Sequence, residues 1–401
     1  MASKFDSLSR DFNWRSRKVE WPVTTATAQG LSGVIACETK VAWVNPNTGD
    51  LYYRGIPIEK LADNATFEEV AYLLVEGKNW KSRPSEFQRF CDGLHRVRQM
   101  PAEVLQIIAS QPGDAHPTRL LRAAVSALGC YEMQPGNNQE KKHPWEDVWI
   151  ISQVAALVGH IARYRNGLRP QITDYRQSLA KDMLYMILNT KPSREQVRLL
   201  DLLWVLYADH GLDAPTFTGM VIASTEADPY YNIVAGLSAL RGPLLGGAAE
   251  RVIHMLNGLR DANVAKAWTI GMVERGYVIP GFGHRMYHQP NPRVDILRKL
   301  LPEFATSSEQ KLLVEVASSV EETASSVLNP KGIYANLHFH AALLFHFLGV
   351  EPEMVPCFYA IGRMAGLVAR VREYLRDNRL IYPIEEYTGK TELTYTSMEK
   401  R

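Results

Sequence analysis

Apolar positions along this chain recur mostly at intervals of three and four, which predicts helices. In "FEEVAYLLVEG", Phe67, Val70, Ala71 and Leu74 form one stripe, with Asn64 placed to cap its start and Gly77 to end it. "HPTRLLRAAVSALG" repeats the plan, turning Leu120, Leu121, Ala124 and Leu128 inward and stopping at Gly129. "DVWIISQVAALVGHIARYR" and "REQVRLLDLLWVLYADHG" are apolar over most of their surface, which predicts central helices. Strand patterning is scarce. "VAWVNPNTGDLYYRG" pairs two short apolar runs around Asn-Thr-Gly, a hairpin signal. The prediction is an all-α chain with one short N-terminal β-hairpin.

Composition narrows the function classes. With 46% hydrophobic and 22% charged residues in 401, the chain can bury a large core. A formal charge of +2 gives no bulk electrostatic reason for binding nucleic acid. No stretch looks close to the ~20 apolar residues of a bilayer span, and no apolar signal segment opens the chain, so no membrane is expected and a cytoplasmic setting is. The four cysteines, Cys37, Cys91, Cys130 and Cys357, form no CxxC pair and read as reduced thiols. The polar, basic residues 1–29 read as an N-terminal arm.

Gly and Pro gather at Gly242-Pro243, Gly246-Gly247 and Pro280-Gly281-Phe282-Gly283, where polar residues also collect. Loops held by rigid helices are common places for sites. Pattern alone therefore stops at an all-α protein with a loop-built site around residues 240–295.

Eight segments, in order from about residue 30 to 389, resemble the citrate synthase and methylcitrate synthase family. They are "GLSGVIACETKVAW", "LYYRGIPIEKLADNATFEEVAYLLVEG", "HPTRLLRAAVSALG", "LYADHGLDAPTFTGMVIAST", "GPLLGGAAE", "PGFGHRMYHQPNPR", "GRMAGLVAR" and "DNRLIYPIEEYTG". The resemblance implies a citrate-synthase-like all-α fold. Its large helical domain would span 30–245 and 343–401, with a small inserted helical domain over 246–342 and the site in the cleft between them. It also implies a homodimer or larger homo-oligomer, a coenzyme A thioester as co-substrate, and no metal.

By the same resemblance, His284 of "GFGH" matches the histidine that polarises a keto oxygen, and His210 of "ADHG" a substrate-binding histidine. Arg293 and Arg363 match two carboxylate-binding arginines, whose planar guanidinium can grip a carboxylate with two bonds. Val278, Pro280, Gly281, Phe282 and Gly283 resemble the loop that contacts CoA. The departures fall elsewhere. Leu245 stands where the family has the enol-stabilising histidine, and His338 where it has the catalytic aspartate. Tyr382 replaces an arginine that would reach a partner subunit's substrate. His288 replaces a basic residue facing CoA phosphates, Asn291 an aspartate, and Leu367 and Arg370 depart from the closing helix.

Three functions stay open on these residues. The first is a divergent acyltransferase condensing acetyl-CoA or another acyl-CoA with oxaloacetate or an analogue such as a phosphonate or alkyl keto acid. There His338 serves as base, since imidazole titrates near neutral pH, and His284 as electrophile. The second is a catalytically impaired paralogue binding di- or tricarboxylates as a sensor or scaffold. The third is a histidine metal site drawing on His284, His288, His338 and His340, the first pair spaced i, i+4.

Overall fold

The computed structural model describes residues 29–31, 33–45, 47–132, 148–171, 177–286 and 289–400. Residues 1–28, most of the expected arm, and His288 lie outside the described residues. The chain divides into two compact units, Thr39–Ile381 and a smaller one joining the N-terminal residues to Glu38 with Tyr382–Arg401.

The larger unit is helical apart from one small sheet, as the patterning predicts. Strands β1 (Ala42–Val44) and β2 (Leu51–Tyr53) pair antiparallel, and β3 (Ile56–Pro57) extends the sheet. The connecting turn closes through Asn45 N–H to Asp50 O at 2.8 Å, with Gly49 at φ 79°, a conformation that favours glycine. Tyr53 is fully buried. Its hydroxyl donates toward Val205 O (3.1 Å) and Asp209 O (3.0 Å) and accepts Asp209 N–H (3.1 Å). The hairpin thus anchors the chain reversal that follows the helix Arg194–Tyr207.

Two boundaries differ from the sequence expectation. The helix Phe67–Glu76 is capped by Thr66, not Asn64, because Thr66 and Glu69 form a reciprocal capping box that satisfies two backbone donors. Asn64 instead ends the preceding helix Ile58–Asn64, while Gly77 does close its helix in the left-handed conformation. The helix Pro117–Glu132 runs through Gly129 rather than stopping there. A Cβ at Gly129 would lie 3.0 Å from Tyr230, so this glycine permits close approach of the helix Pro229–Leu240.

The helices Ile150–Arg165, Arg194–Tyr207 and Val355–Tyr374 form the buried centre. Gly366 N–H donates to Ala208 O at 2.9 Å, and a Cβ there would collide with that oxygen. Small residues on the Val355–Tyr374 helix therefore let its backbone touch the end of the Arg194–Tyr207 helix. Trp204 fills the same contact and donates to Phe358 O at 3.0 Å. The expectation about spanning segments needs correction: Pro352–Asp377 is long and apolar enough to cross a membrane. Its apolar window is wholly buried within the protein, so packing among helices accounts for that composition.

A short bridge decides where the site forms. Phe282 pairs with Ala335, Gly283 N–H donates to Tyr334 O (2.8 Å), and Asn336 N–H donates to Gly281 O (2.8 Å). The Asn336 side chain adds a bond to Gly283 O at 2.9 Å. These contacts clamp the loop carrying His284 to the start of the helix Leu337–Phe347, which carries His338.

Candidate active site

Four chain segments deliver five sequence-nominated side chains to one place. His210 follows the Arg194–Tyr207 helix on a turn fixed by Asp209. Asp209 is wholly buried and takes two bonds from Arg370, Nε to Oδ2 at 2.7 Å and Nη2 to Oδ1 at 2.9 Å. Its Oδ1 also accepts Gly211 N–H at 2.9 Å. Arg370 donates besides to Ala42 O at 3.2 Å, tying hairpin, turn and closing helix together. Arg370 thus has a local structural role, and Leu367 beside it fills the space against Gly219 and Gly236.

His210 and His284 meet edge to face with ring centroids 4.9 Å apart. Arg293 sits in the first turn of the helix Pro292–Phe304, 3% exposed. Asn291 caps that helix through Arg293 N–H (3.1 Å) and also accepts Arg293 Nε–H (3.2 Å), while Arg293 Nη1 donates to Leu206 O (2.9 Å). Arg363, also 3% exposed, pairs with Asp213 at 2.9 Å and lies 5.3 Å from the Tyr359 ring centroid. Its Nε is buried without a hydrogen bond to the described residues, an uncommon state for a charged donor and one that an anion would relieve.

His338 opens the helix Leu337–Phe347, where Asn336 caps its N–H at 3.0 Å. It is therefore helical. Its Nδ1 lies 3.0 Å from the Tyr207 hydroxyl, and its ring contacts Tyr207 and Tyr359. His340, two residues on, faces a different partner, Glu321 Oε2 at 2.9 Å, and lines a separate cavity of about 380 Å³ with Arg298 and Ser318. Glu321 is held near 2 by His340 and Arg298 against the cost of its burial. Among the described residues, which leave out His288, no group of three or more His, Cys, Asp or Glu able to hold an ion exists. Residues 282–286 are not helical, so no i, i+4 helical face begins at His284.

Electrostatics treat the three imidazoles alike. Burial lowers the pKa of His284 to about 4 and of His338 to about 3, with Arg293 and Arg363 pushing the same way. Burial, then Arg293, His284 and Arg363, push His210 well below its ordinary value. All three are neutral at pH 7. Burial opposes the charge on Arg363, but Asp213, Tyr359 and Asp209 together raise its pKa. The result is a cluster of two cations and three neutral rings, suited to holding a small anion and polarising a carbonyl.

The remaining nominations fall as follows. Leu245 is half-buried in the turn leading into the helix Gly247–Asn257. Val278 is exposed and Pro280 half-buried, whereas Gly281 and Phe282 are buried against Phe339. Tyr382 is exposed in the smaller unit. Motif reading missed Tyr207, Asp213, Tyr359 and Asn336. Their only sequence signal was adjacency to nominated residues.

The family model described as "Citrate synthase, C-terminal domain" matches residues 30–384. The citrate synthase of Deinococcus radiodurans is 34% identical over 376 residues, covering 93% of this chain and 99% of that protein. The 2-methylcitrate synthase 2 of Corynebacterium glutamicum is 33% identical over 383 residues, covering 94% and 99%. Among solved structures, the Thermoplasma acidophilum citrate synthase in ternary complex with carboxymethyl coenzyme A and oxaloacetate superposes with a TM-score of 0.87. It has 26% identity and covers 94% of this chain and 100% of that one. The Thermotoga maritima citrate synthase gives 0.82 at 32% identity, covering 93% and 99%.

Proposed function

The chain belongs to the citrate synthase family, whose members condense an acyl-CoA with oxaloacetate, and we propose that it joins an acyl-CoA to oxaloacetate or a close analogue. The observation carrying this reading is the convergence of buried Arg293 and Arg363 on neutral His210, His284 and His338. Two guanidiniums at the end of a cleft bind a dicarboxylate, and removing that anion from water is offset by cations already desolvated. His210 helps hold the acceptor. His284 donates to its keto oxygen, where negative charge grows as carbon–carbon bond formation proceeds.

His338 takes the thioester side, where the relatives' pattern places an aspartate. The loop from Val278 to Gly283 contacts coenzyme A. Residues 246–342 form the small domain that closes over the substrates against 30–245 and 343–401, expelling water from a reactive intermediate. Tyr382 in place of an arginine favours an acceptor whose distal group differs from oxaloacetate's, such as an alkyl or phosphonate keto acid. The protein works as a cytoplasmic homodimer or larger homo-oligomer. The test is release of free CoA from acetyl-, propionyl- and malonyl-CoA with a panel of keto acids. Absence of turnover with every pair would sink the condensing reading.

One observation favours a second reading. The carboxylates nearest the cluster, Asp209 and Asp213, are engaged with Arg370 and Arg363, and Leu245 can donate nothing. A paralogue that binds di- or tricarboxylates as a sensor or scaffold would have this composition. Calorimetry separates the two: binding without turnover, weakened by Arg293→Ala, selects the sensor.

A further inference from the structure

His284 and His338 reach the cluster from different segments, yet one constraint acts on both rings. Met286 N–H donates to His284 Nδ1 at 3.1 Å. A backbone amide can only donate, so Nδ1 presents its lone pair and the neutral ring carries its proton on Nε2. On His338 the partner of Nδ1 is the Tyr207 hydroxyl, 3.0 Å away. That hydroxyl makes no other hydrogen bond among the described residues, and burial raises the Tyr207 pKa so that it stays protonated. Were His338 Nδ1 to carry the proton, the Tyr207 O–H would lack an acceptor in a buried site, at a cost of ~1–3 kcal/mol. Tyr207 therefore donates, and the proton of His338 sits on Nε2.

Both rings thus present N–H groups. The nearby carboxylates face cations: Asp209 takes two bonds from Arg370, and Asp213 is ion-paired with Arg363 while its Oδ1 accepts Thr216 N–H. Among the described residues, neither His284 nor His338 then offers a free nitrogen lone pair to take a proton from carbon. We propose that Tyr207 is a positioning residue that keeps His338 in the Nε2–H form, so that position 338 supplies a donor rather than a base and the thioester partner is a malonyl-type one that forms its enolate by losing carbon dioxide. The inference rests on the condensing reading of the site and revises the role of His338 from base to electrophile.

The step balances without a protein base. The bond between the α-carbon and the carboxylate breaks, carbon dioxide leaves, and the electron pair moves onto the thioester oxygen, which accepts the His338 Nε2–H bond. The enolate carbon then attacks the keto carbon. The carbonyl pair moves onto the keto oxygen, steadied by His284 Nε2–H, and that alkoxide takes a proton from water.

The experiment follows the full-length protein in deuterium oxide with oxaloacetate and either malonyl-CoA or acetyl-CoA. Malonyl-CoA should be consumed, with carbon dioxide released, at least about 100-fold faster than the acetyl-CoA methyl protons exchange. Methyl exchange as fast as malonyl-CoA consumption would overturn the inference while leaving the condensing function standing. If oxaloacetate binds but neither thioester reacts, this inference falls, and the wider panel of thioesters and keto acids decides the condensing reading. Nitrogen-15 resonances of His338 should report the Nε2–H form, and Tyr207→Phe should shift them toward the other tautomer. An Nδ1–H form in the unsubstituted protein overturns the assignment. His338→Gln, which still donates, should rescue malonyl-CoA consumption that His338→Leu lowers by about 10²–10³-fold, the usual loss for one such donor. Failure of Gln to exceed Leu counts against a donor role.

Discussion

Arg293 and Arg363, on the acceptor side of the cluster, are held by groups from other segments: Leu206 O and Asn291 for the first, Asp213 and the Tyr359 ring for the second. His338, on the proposed thioester side, has one side-chain hydrogen bond among the described residues, to Tyr207. The proposed acceptor side is cross-braced through the Asp209–Arg370 pair. On the proposed reading the thioester side is the one where the family resemblance lapses, at Leu245 and His338. A grip for a charged substrate needs several fixed donors whose loss leaves buried charge unpaired. A proton-handling position depends on one atom's protonation, and a single neighbour can reassign it.

Breaking the brace is expected to have the largest effect. Arg370→Met leaves Asp209 buried and unpaired, so stability should fall by about 3–5 kcal/mol in denaturant titration, with His210 losing its position. Arg363→Ala should weaken oxaloacetate binding by about 10²–10³-fold in calorimetry, because it removes a desolvated cation from the anion's site. Loss smaller than about fivefold would place the anion elsewhere. The double change Leu245→His with His338→Asp sharpens the contrast by converting only the thioester side. Acetyl-CoA methyl exchange should rise about 100-fold while oxaloacetate affinity stays within about threefold.

Proton linkage gives a smaller effect. His284 and His338 titrate near 4 and 3 in the folded state against about 6.5 unfolded, so below about pH 6.5 the unfolded chain binds protons that the folded rings refuse. Stability should be level in these groups above pH 7 and decline from about 6.5 toward 3. Bound oxaloacetate, by neutralising Arg293 and Arg363, should lessen the decline. Urea midpoints across that range, with and without oxaloacetate, check both signs. The smallest effect belongs to Asn291→Asp. Either residue can cap the Pro292–Phe304 helix, so oxaloacetate affinity should change less than about threefold.

Much of this was legible before the fold. Helical periodicity located the central helices, the Asn-Thr-Gly turn located the hairpin, and family motifs nominated five side chains that the structure gathers. Errors came where a residue type has two uses. Gly129 reads as a helix stop but serves as a contact for Tyr230, and Asn64 reads as a cap when Thr66 has the better reciprocal partner. The composition of Pro352–Asp377 hides the same ambiguity between a membrane and a protein core.

The linear chain by itself determined the class of fold, because burying one face of a helix writes a period into neighbouring residues. It also carried the motifs whose resemblance nominated the cluster's side chains. Only the tertiary structure decided what His338 touches, because its Tyr207 partner lies 131 positions away and local spacing carries no trace of that bond. Likewise Arg370 became the brace of Asp209 across 161 positions. A side chain's charge, tautomer and burial are set by the neighbours that packing supplies, and packing brings together residues that no local pattern relates.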